Sequence, residues 1–516
     1  MKRLLFSILV LAGLSVLLMA FPLRALRQDK EKDIFTAIKM EEFHNQKVAD
    51  ELKEATRTIG HRLTGSDNGK KAEQFALDLF KKYGYSDARF EEFEVDAWSR
   101  KDVALKIYYQ GSDTNAVVKG SAITVPAKLE PGNAGCITLP EVVSLAHSPV
   151  SADVFARLID VGNGLKKDFE MHQDSIKGKI VLLNINIYPK DSTLKNLHRS
   201  EKAALAIQYG AAGCIFINQV EGRILLTGTA SVDGQLISIP AVCICQEDGQ
   251  SLRQCLQLAP FTYARIRMHN KSGKIKARNV VATIKGSDPA GEEIILCGHL
   301  DSWDLATGAI DNGIGSFTVM EIARVFQKLK IKPRRTIRFV TFMGEEQGLL
   351  GSRAMVKERL NNNTLSKIRA VINLDMAGNT QGFNAGGRTE MENFIKTVIA
   401  DIQAVEPSFK GTIANNAGLH SDHQPFLEQG ILTIEPEGSL DPYVYKFYHS
   451  NKDDFALVNP EHMSLCAMYV GMMLYALADT EHIPAQRLND EETKAFFIKA
   501  NLKDELILEK QWRWEK

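Results

Sequence analysis

Cysteine is scarce in this sequence: seven residues in 516, an odd number spread from Cys136 to Cys466. That count excludes a disulfide-stapled scaffold. Cys243 and Cys245 alternate in the strand-like run from Ile239 to Cys245, so both side chains share one face. A thiol metal site is one reading of that pair. Two buried small hydrophobes is the favoured one, because free cysteine is commonly buried. Excess charge of either sign is also missing. Lys+Arg and Asp+Glu stand at 63 each, so no whole-molecule field exists to capture nucleic acid or an anionic membrane, and substrate choice falls to a local site. Repeats and low-complexity tracts are absent, which excludes solenoids and arrays. There is no nucleophile elbow, so a serine hydrolase of that type is excluded.

Long apolar runs are missing after the first. Leu4 to Phe21 carries no charge, follows Lys2 and Arg3, and is ended by Pro22. A positive stretch followed by an apolar one reads as an export signal over residues 1–28. Arg24 and Arg27 interrupt the region where a cleavage site would lie, and the run is just long enough to cross a bilayer. An uncleaved N-terminal anchor is therefore the alternative, and the only expected membrane contact. The remainder has the balance of a soluble globular protein, 44% apolar and 24% charged, and the length suggests about two to four domains.

Apolar residues recur at helical spacing from Asp33 to about Thr58, and again at Ala72, Phe75, Ala76, Leu79 and Phe80 after the segment His61 to Ser66. Strand-like stretches follow at Arg89 to Val95 and Val103 to Tyr109. Residues 120–275 then change character, with short β runs, Gly and Pro. Ile176 to Leu183 and Gly210 to Ile217 look like turns feeding buried strands. This block reads as an inserted mixed α/β domain, and its pattern resembles the protease-associated domain of several exopeptidases. The flanking regions, 29–119 and 276–516, are expected to form one discontinuous domain. In its second part strands at Asn279 to Ile284, Ile294 to Cys297, Thr336 to Phe342 and Ala370 to Leu374 alternate with helices near Ser316 to Leu329 and Ser352. That alternation predicts an α/β fold, a mostly parallel mixed sheet with helices on both faces, whose ligands collect at the carboxyl ends of the strands. A charged helical tail follows Pro484.

Polar residues cluster at those strand ends. A buried strand delivers His299 in Cys297-Gly298-His299-Leu300-Asp301; imidazole is a common zinc ligand, and Asp301 is placed to take its other ring N–H. Asp311 in Gly308-Ala309-Ile310-Asp311-Asn312-Gly313 opens a helix, where a carboxylate can bridge two cations and glycines allow close approach. Glu345 and Glu346 end another strand. Two desolvated adjacent carboxylates repel unless a cation offsets them, with one ligating and the other taking a proton from metal-bound water. Asp375 after Ile372-Asn373-Leu374 is costly to bury without a partner. His449 lies in Tyr448-His449-Ser450-Asn451-Lys452-Asp453. Singly, these residues are more often a helix cap, a satisfied core histidine or a solvated acidic pair. Together they give two His and three carboxylates in order, a mix that suits two zinc ions best and leaves cobalt or manganese open.

These motifs, from Gly298 to Asp453, resemble the zinc exopeptidases of the aminopeptidase/glutamate carboxypeptidase superfamily, and Gly298 to Asp304 with Gly308 to Asn312 resembles its plasma glutamate carboxypeptidase branch more than the bacterial leucyl aminopeptidases. The resemblance implies His299, Asp311, Glu346, Asp375 and His449 as ligands of two Zn2+, with Asp311 bridging. It implies Glu345 as general acid/base, Asp301 as the residue orienting His299, Tyr448 as an oxyanion donor, and a cis peptide after Asp311. His420 to Phe426 resembles the family's Ser-Asp-His-x-Pro-Phe loop, expected to line the site without supplying a ligand. The expected activity is hydrolysis of dipeptides or small peptides by metal-activated water. Arg388 is a candidate for holding a free carboxylate, and Asp422 or Glu437 a free amine. A homodimer is left open, and no nucleic acid is expected. Two other readings stand beside this one: a single-zinc acyltransferase of the glutaminyl cyclase type, and a catalytically dead receptor or scaffold on the same fold.

Overall fold

In the computed structural model the described residues are 30–110, 134–259, 261–287 and 291–514. The amino-terminal apolar run lies outside them; among the described residues no helix is long and apolar enough to cross a membrane. The helical pattern expected from Asp33 to Thr58 forms two helices, 30–45 and Val48–Thr58. The break falls where the Lys47 N–H leaves the helical ladder to donate to Glu321 Oε1 at 3.2 Å.

The first seven strands are β1 (Arg89–Gln110), β2 (Ala134–Thr138), β3 (Val143–Ser144), β4 (Ser151–Asp160), β5 (Ile180–Asn184), β6 (Gly213–Ile217) and β7 (Ala241–Ile244). The next seven are β8 (Phe261–Ile284), β9 (Glu293–His299), β10 (Thr336–Phe342), β11 (Ile368–Asn373), β12 (Thr380–Asn384), β13 (Thr412–Ala414) and β14 (Leu432–Gly438). They make one sheet in the order β13-β12-β14-β11-β9-β10-β8-β4-β5-β6-β7-β3, with β1 on β8 and β2 on β1. β9, β10 and β11 are parallel and buried. Their near-continuous apolar runs are what strands covered on both faces require. The helix Pro460–Asp479 is apolar almost all round and buried over most of its length, as a helix inside a large core must be.

The stretches 89–95 and 103–109 belong to one strand, β1, with a bulge between Arg100 and Asp102. β1 and β8 pair from Arg89↔Val281 to Gln110↔Phe261. The carboxyl half of β8 borders β10, and its amino half borders β4. One long ribbon thus enters both halves of the sheet, and residues 275 and 276 lie inside β8 rather than in a linker. At the junction Trp98 is fully buried with Leu63, Ala146 and Trp303. Its backbone N–H donates to Gln347 Oε1 at 2.7 Å and its indole N–H to Ser148 O at 3.0 Å. A burial of that size anchored at two polar points fixes the two halves against each other.

Candidate metal centre

Strand ends deliver most of the site. β9 ends on His299, Glu345 and Glu346 follow β10, and Asp375 follows β11. Asp311 sits in the kink before the helix Ile314–Lys328, where the Asp311–Asn312 peptide is cis. That kink packs tightly: a Cβ on Gly315 would lie 2.2 Å from Asn312 Oδ1 and 2.3 Å from Leu374 O, so only glycine fits.

The five expected ligands fall into two donor groups that share one residue. His299, Asp311 and Asp375 form the first; Asp311, Glu346 and His449 form the second. Asp311 Oδ1 is 3.2 Å from His299 Nε2, and its Oδ2 is 2.8 Å from His449 Nε2. His299 Nε2 lies 3.4 Å from Asp375 Oδ1, and His449 Nε2 lies 3.0 Å from Glu346 Oε2. Asp375 Oδ1 and Glu346 Oε1 are buried without a hydrogen-bond partner. Orphaned carboxylate oxygens in a buried acidic cluster call for a cation. Burial, then the charges of neighbouring carboxylates, push Glu345 and Glu346 well above the usual carboxylate range. Asp311 is raised by burial but held below that range by the hydrogen bonds to His299 and His449. The two donor groups, which share Asp311, therefore fit divalent cations.

Glu345 stands beside this cluster, its Oε2 3.8 Å from His299 Nε2. The orienting role expected of Asp301 is arranged differently. His299 Nδ1 is 3.1 Å from the Asp301 backbone carbonyl and 3.6 Å from its carboxylate. That carboxylate instead accepts from the Glu345 backbone N–H at 3.2 Å and from Thr64 Oγ1 at 3.1 Å, so it positions Glu345. Tyr448 stacks on His449 with ring centroids 3.8 Å apart and lines the adjoining cavity. In the His420–Phe426 loop, Ser421 Oγ donates to Asp375 Oδ2 at 2.7 Å, while His420 and Gln424 line the cavity. Arg388 is buried against Glu390 and Gln486 O, and neither it nor Asp422 nor Glu437 lines the cavity.

Three further residues hold the centre. Arg62, 1% exposed, donates to the carbonyls of Leu300, Thr307 and Gly308 at 2.5, 2.6 and 2.8 Å, clamping the loop between His299 and Asp311. Asp453 accepts from the backbone N–H groups of Ile310 and Asp311 at 2.7 and 3.0 Å. Arg199, from the helix Arg199–Gln208 in the inserted region, places Nη2 3.0 Å from His449 Nδ1, and its Nε is buried without a partner. Asp453 lies within the segment already singled out around His449, whereas the stretch His61 to Ser66 that holds Arg62 marked only the approach to a helix. Arg199 carries no sequence signal, because it meets His449 across 250 residues.

Residues 279–474 match the model of peptidase family M28, and residues 131–252 match the PA domain. The region 279–474 is thus of peptidase family M28, with a PA domain ahead of it. Among relatives of the chain, carboxypeptidase Q of Mus musculus is 25% identical over 434 residues, covering 83% of this chain and 84% of that one. Aminopeptidase YwaD of Bacillus subtilis (strain 168) is 27% identical over 406 residues, covering 75% and 81%. A peptidase M28 precursor from Shewanella amazonensis SB2B shares the fold with a TM-score of 0.71 at 22% identity, over 90% of this chain and 100% of that one. BSAP, a zinc aminopeptidase from Bacillus subtilis, shares it with a TM-score of 0.61 at 22% identity, over 86% and 98%.

Proposed function

We propose that this chain is an exported exopeptidase that hydrolyses dipeptides or small peptides at a pair of zinc ions. The observation that carries the reading is Asp311, whose two oxygens face His299 and His449 separately, at 3.2 and 2.8 Å. His299 and Asp375 would hold one ion, Glu346 and His449 the other, and Asp311 both. A bound zinc pair supplies an acidified water and a polarised substrate carbonyl. Glu345, raised by burial and fixed through its backbone by Asp301, is suited to hold the water's proton and return it to the leaving amine. Tyr448 is placed to donate to the developing oxyanion from the cavity side.

The cavity beside the centre measures about 210 Å³. Its walls come from the inserted region, which we assign to residues 120–275, and from the peptidase region, 29–119 and 276–516. That volume suits a substrate of one to three residues. Arg199 lines the cavity and has an unpartnered buried N–H. A guanidinium so placed favours a free carboxyl terminus as the end that is read. Export is supported by Lys2 and Arg3 ahead of the uncharged run Leu4 to Phe21.

A single-zinc acyltransferase needs one donor group, whereas two sharing Asp311 are present, and a dead scaffold would have no use for a full donor set with buried, unpartnered oxygens. The test is elemental analysis with a dipeptide panel. Two zinc ions per chain are expected, with hydrolysis abolished by a strong chelator and by blocking the substrate's carboxyl terminus. Full activity without bound metal would refute the reading.

A further inference from the structure

We infer that the turn Glu509-Lys510-Gln511 is the end wall of the substrate cavity and sets the length of peptide accepted; this rests on the peptidase reading above. Glu509 and Gln511 line the same cavity as Glu345, Glu346 and His449. The turn belongs to a segment rigidly held from outside. Leu506 and Trp512 are buried with Leu427 and Phe497. The backbone N–H groups of Gln511 and Trp512 both donate to Leu506 O, at 2.8 and 3.0 Å, and Lys510 takes a left-handed φ of 59° to close the loop. Arg513 Nη1 donates to Glu428 O at 2.7 Å.

Facing inward, the turn is tied to both sides of the cavity. Gln424 Nε2 donates to Glu509 Oε2 at 2.9 Å, and Arg353 Nη1 to Gln511 Oε1 at 3.2 Å, both on the peptidase side. Lys510 Nζ reaches Asp233 Oδ2 of the inserted region at 2.6 Å. The turn therefore bridges the two regions at the cavity wall. Each further substrate residue in extended form adds about 3.3–3.6 Å, so a cavity closed by this turn admits only a short peptide beside Glu345. The Lys510–Asp233 pair is a weak latch, because Lys510 is 71% exposed. The apolar anchors at Leu506 and Trp512 hold the turn when the latch is open.

The test uses the full zinc-loaded chain and two variants, Lys510→Glu, which sets like charges against Asp233, and Glu509→Ala with Gln511→Ala, which shortens the wall. The ratio of kcat/KM for tetraalanine to that for dialanine should rise by about tenfold or more in each. A second readout does not use activity. In a Cys136→Ser background, since Cys136 is the exposed native thiol, Val232→Cys on the cavity wall should react with a small maleimide but not a polyethylene-glycol maleimide. Adding Lys510→Glu should admit the large reagent. Unchanged ratio and unchanged thiol access in variants that melt like the wild type would overturn the inference. If the double variant fails to fold, Lys510→Glu at its exposed site decides alone. If the wild type hydrolyses no peptide, the peptidase reading fails, and thiol access still decides whether the turn is a wall.

Discussion

Replacing Arg62 by methionine tests whether the metal centre depends on a clamp that supplies no ligand. The guanidinium makes three bonds of 2.5–2.8 Å to Leu300 O, Thr307 O and Gly308 O, inside the loop that separates His299 from Asp311. Methionine fills much of the same volume, so the loss is of hydrogen bonds and charge rather than of packing. The three carbonyls do not suffer equally. Gly308 O keeps a bond from the Gly313 N–H at 3.0 Å, and Thr307 O is only partly buried, open to water. Leu300 O is buried and bears the full cost. Leaving that one buried carbonyl unsatisfied costs about 1–3 kcal/mol. A chain of ordinary stability survives that loss, so the urea midpoint should fall while folding persists. Zinc affinity is pulled two ways. Arg62 is a cation near Asp311, Glu346 and Asp453, and its loss favours a bound cation electrostatically. The loosened loop, however, unfixes the separation of His299 and Asp311, and ligand geometry tolerates only about 0.5 Å of slack. Positioning should win, with zinc bound more weakly by calorimetry. Arg62→Lys, a point charge without the fork, should fall between. A stability change below about 1 kcal/mol with unaltered zinc affinity would refute the clamp.

Glu345→Gln should retain bound metal by elemental analysis and lose about 10²–10⁴ in turnover, whereas Glu346→Gln should lose metal first, since its Oε2 lies 3.0 Å from His449 Nε2. Arg199→Ala should raise KM for free-carboxyl dipeptides, because the guanidinium lines the cavity and its buried Nε–H has no other partner. Burial lowers the His147 imidazole from 6.5 to about 4. The unfolded chain then binds the extra proton first, so stability should fall as pH drops from 6.5 toward 4, by about 3 kcal/mol from this group. His147→Asn, which tolerates the left-handed φ of 62°, should flatten that slope in urea melts.

The strand-end residues were legible because each follows an apolar run that dictates a buried strand, and a polar group at such an end must have a partner. Cys297-Gly298-His299 and Phe342-Met343-Gly344-Glu345-Glu346 both carry that logic in a few residues. The pairing of ligands was not legible, since which oxygen of Asp311 faces which histidine depends on a kink built from Gly308, Asn312 and Gly315. Nor was the role of the Asp301 carboxylate. Spacing places it two residues from His299, but only the fold brings Glu345 N–H and Thr64 Oγ1 within its reach. The continuous ribbon of β1 and β8 was hidden because a bulge at Arg100/Asp102 breaks the apolar alternation that would mark one long strand.

The inserted region enters the metal centre itself. Thr227 N–H donates to His449 O at 2.9 Å, Asn451 N–H donates to Leu225 O at 3.2 Å, and Leu226 bridges to Ser450. His449 thus holds its left-handed φ of 54° between backbone bonds from the insert and the stacked ring of Tyr448. Arg199 approaches the other edge of the same imidazole. A side chain supported this way cannot keep its place if the insert moves away, so the insert is part of the candidate site and not a lid over a finished one. The β1–β8 ribbon gives that arrangement its stiffness, because opening the gap between the regions requires bending strands of 22 and 24 residues.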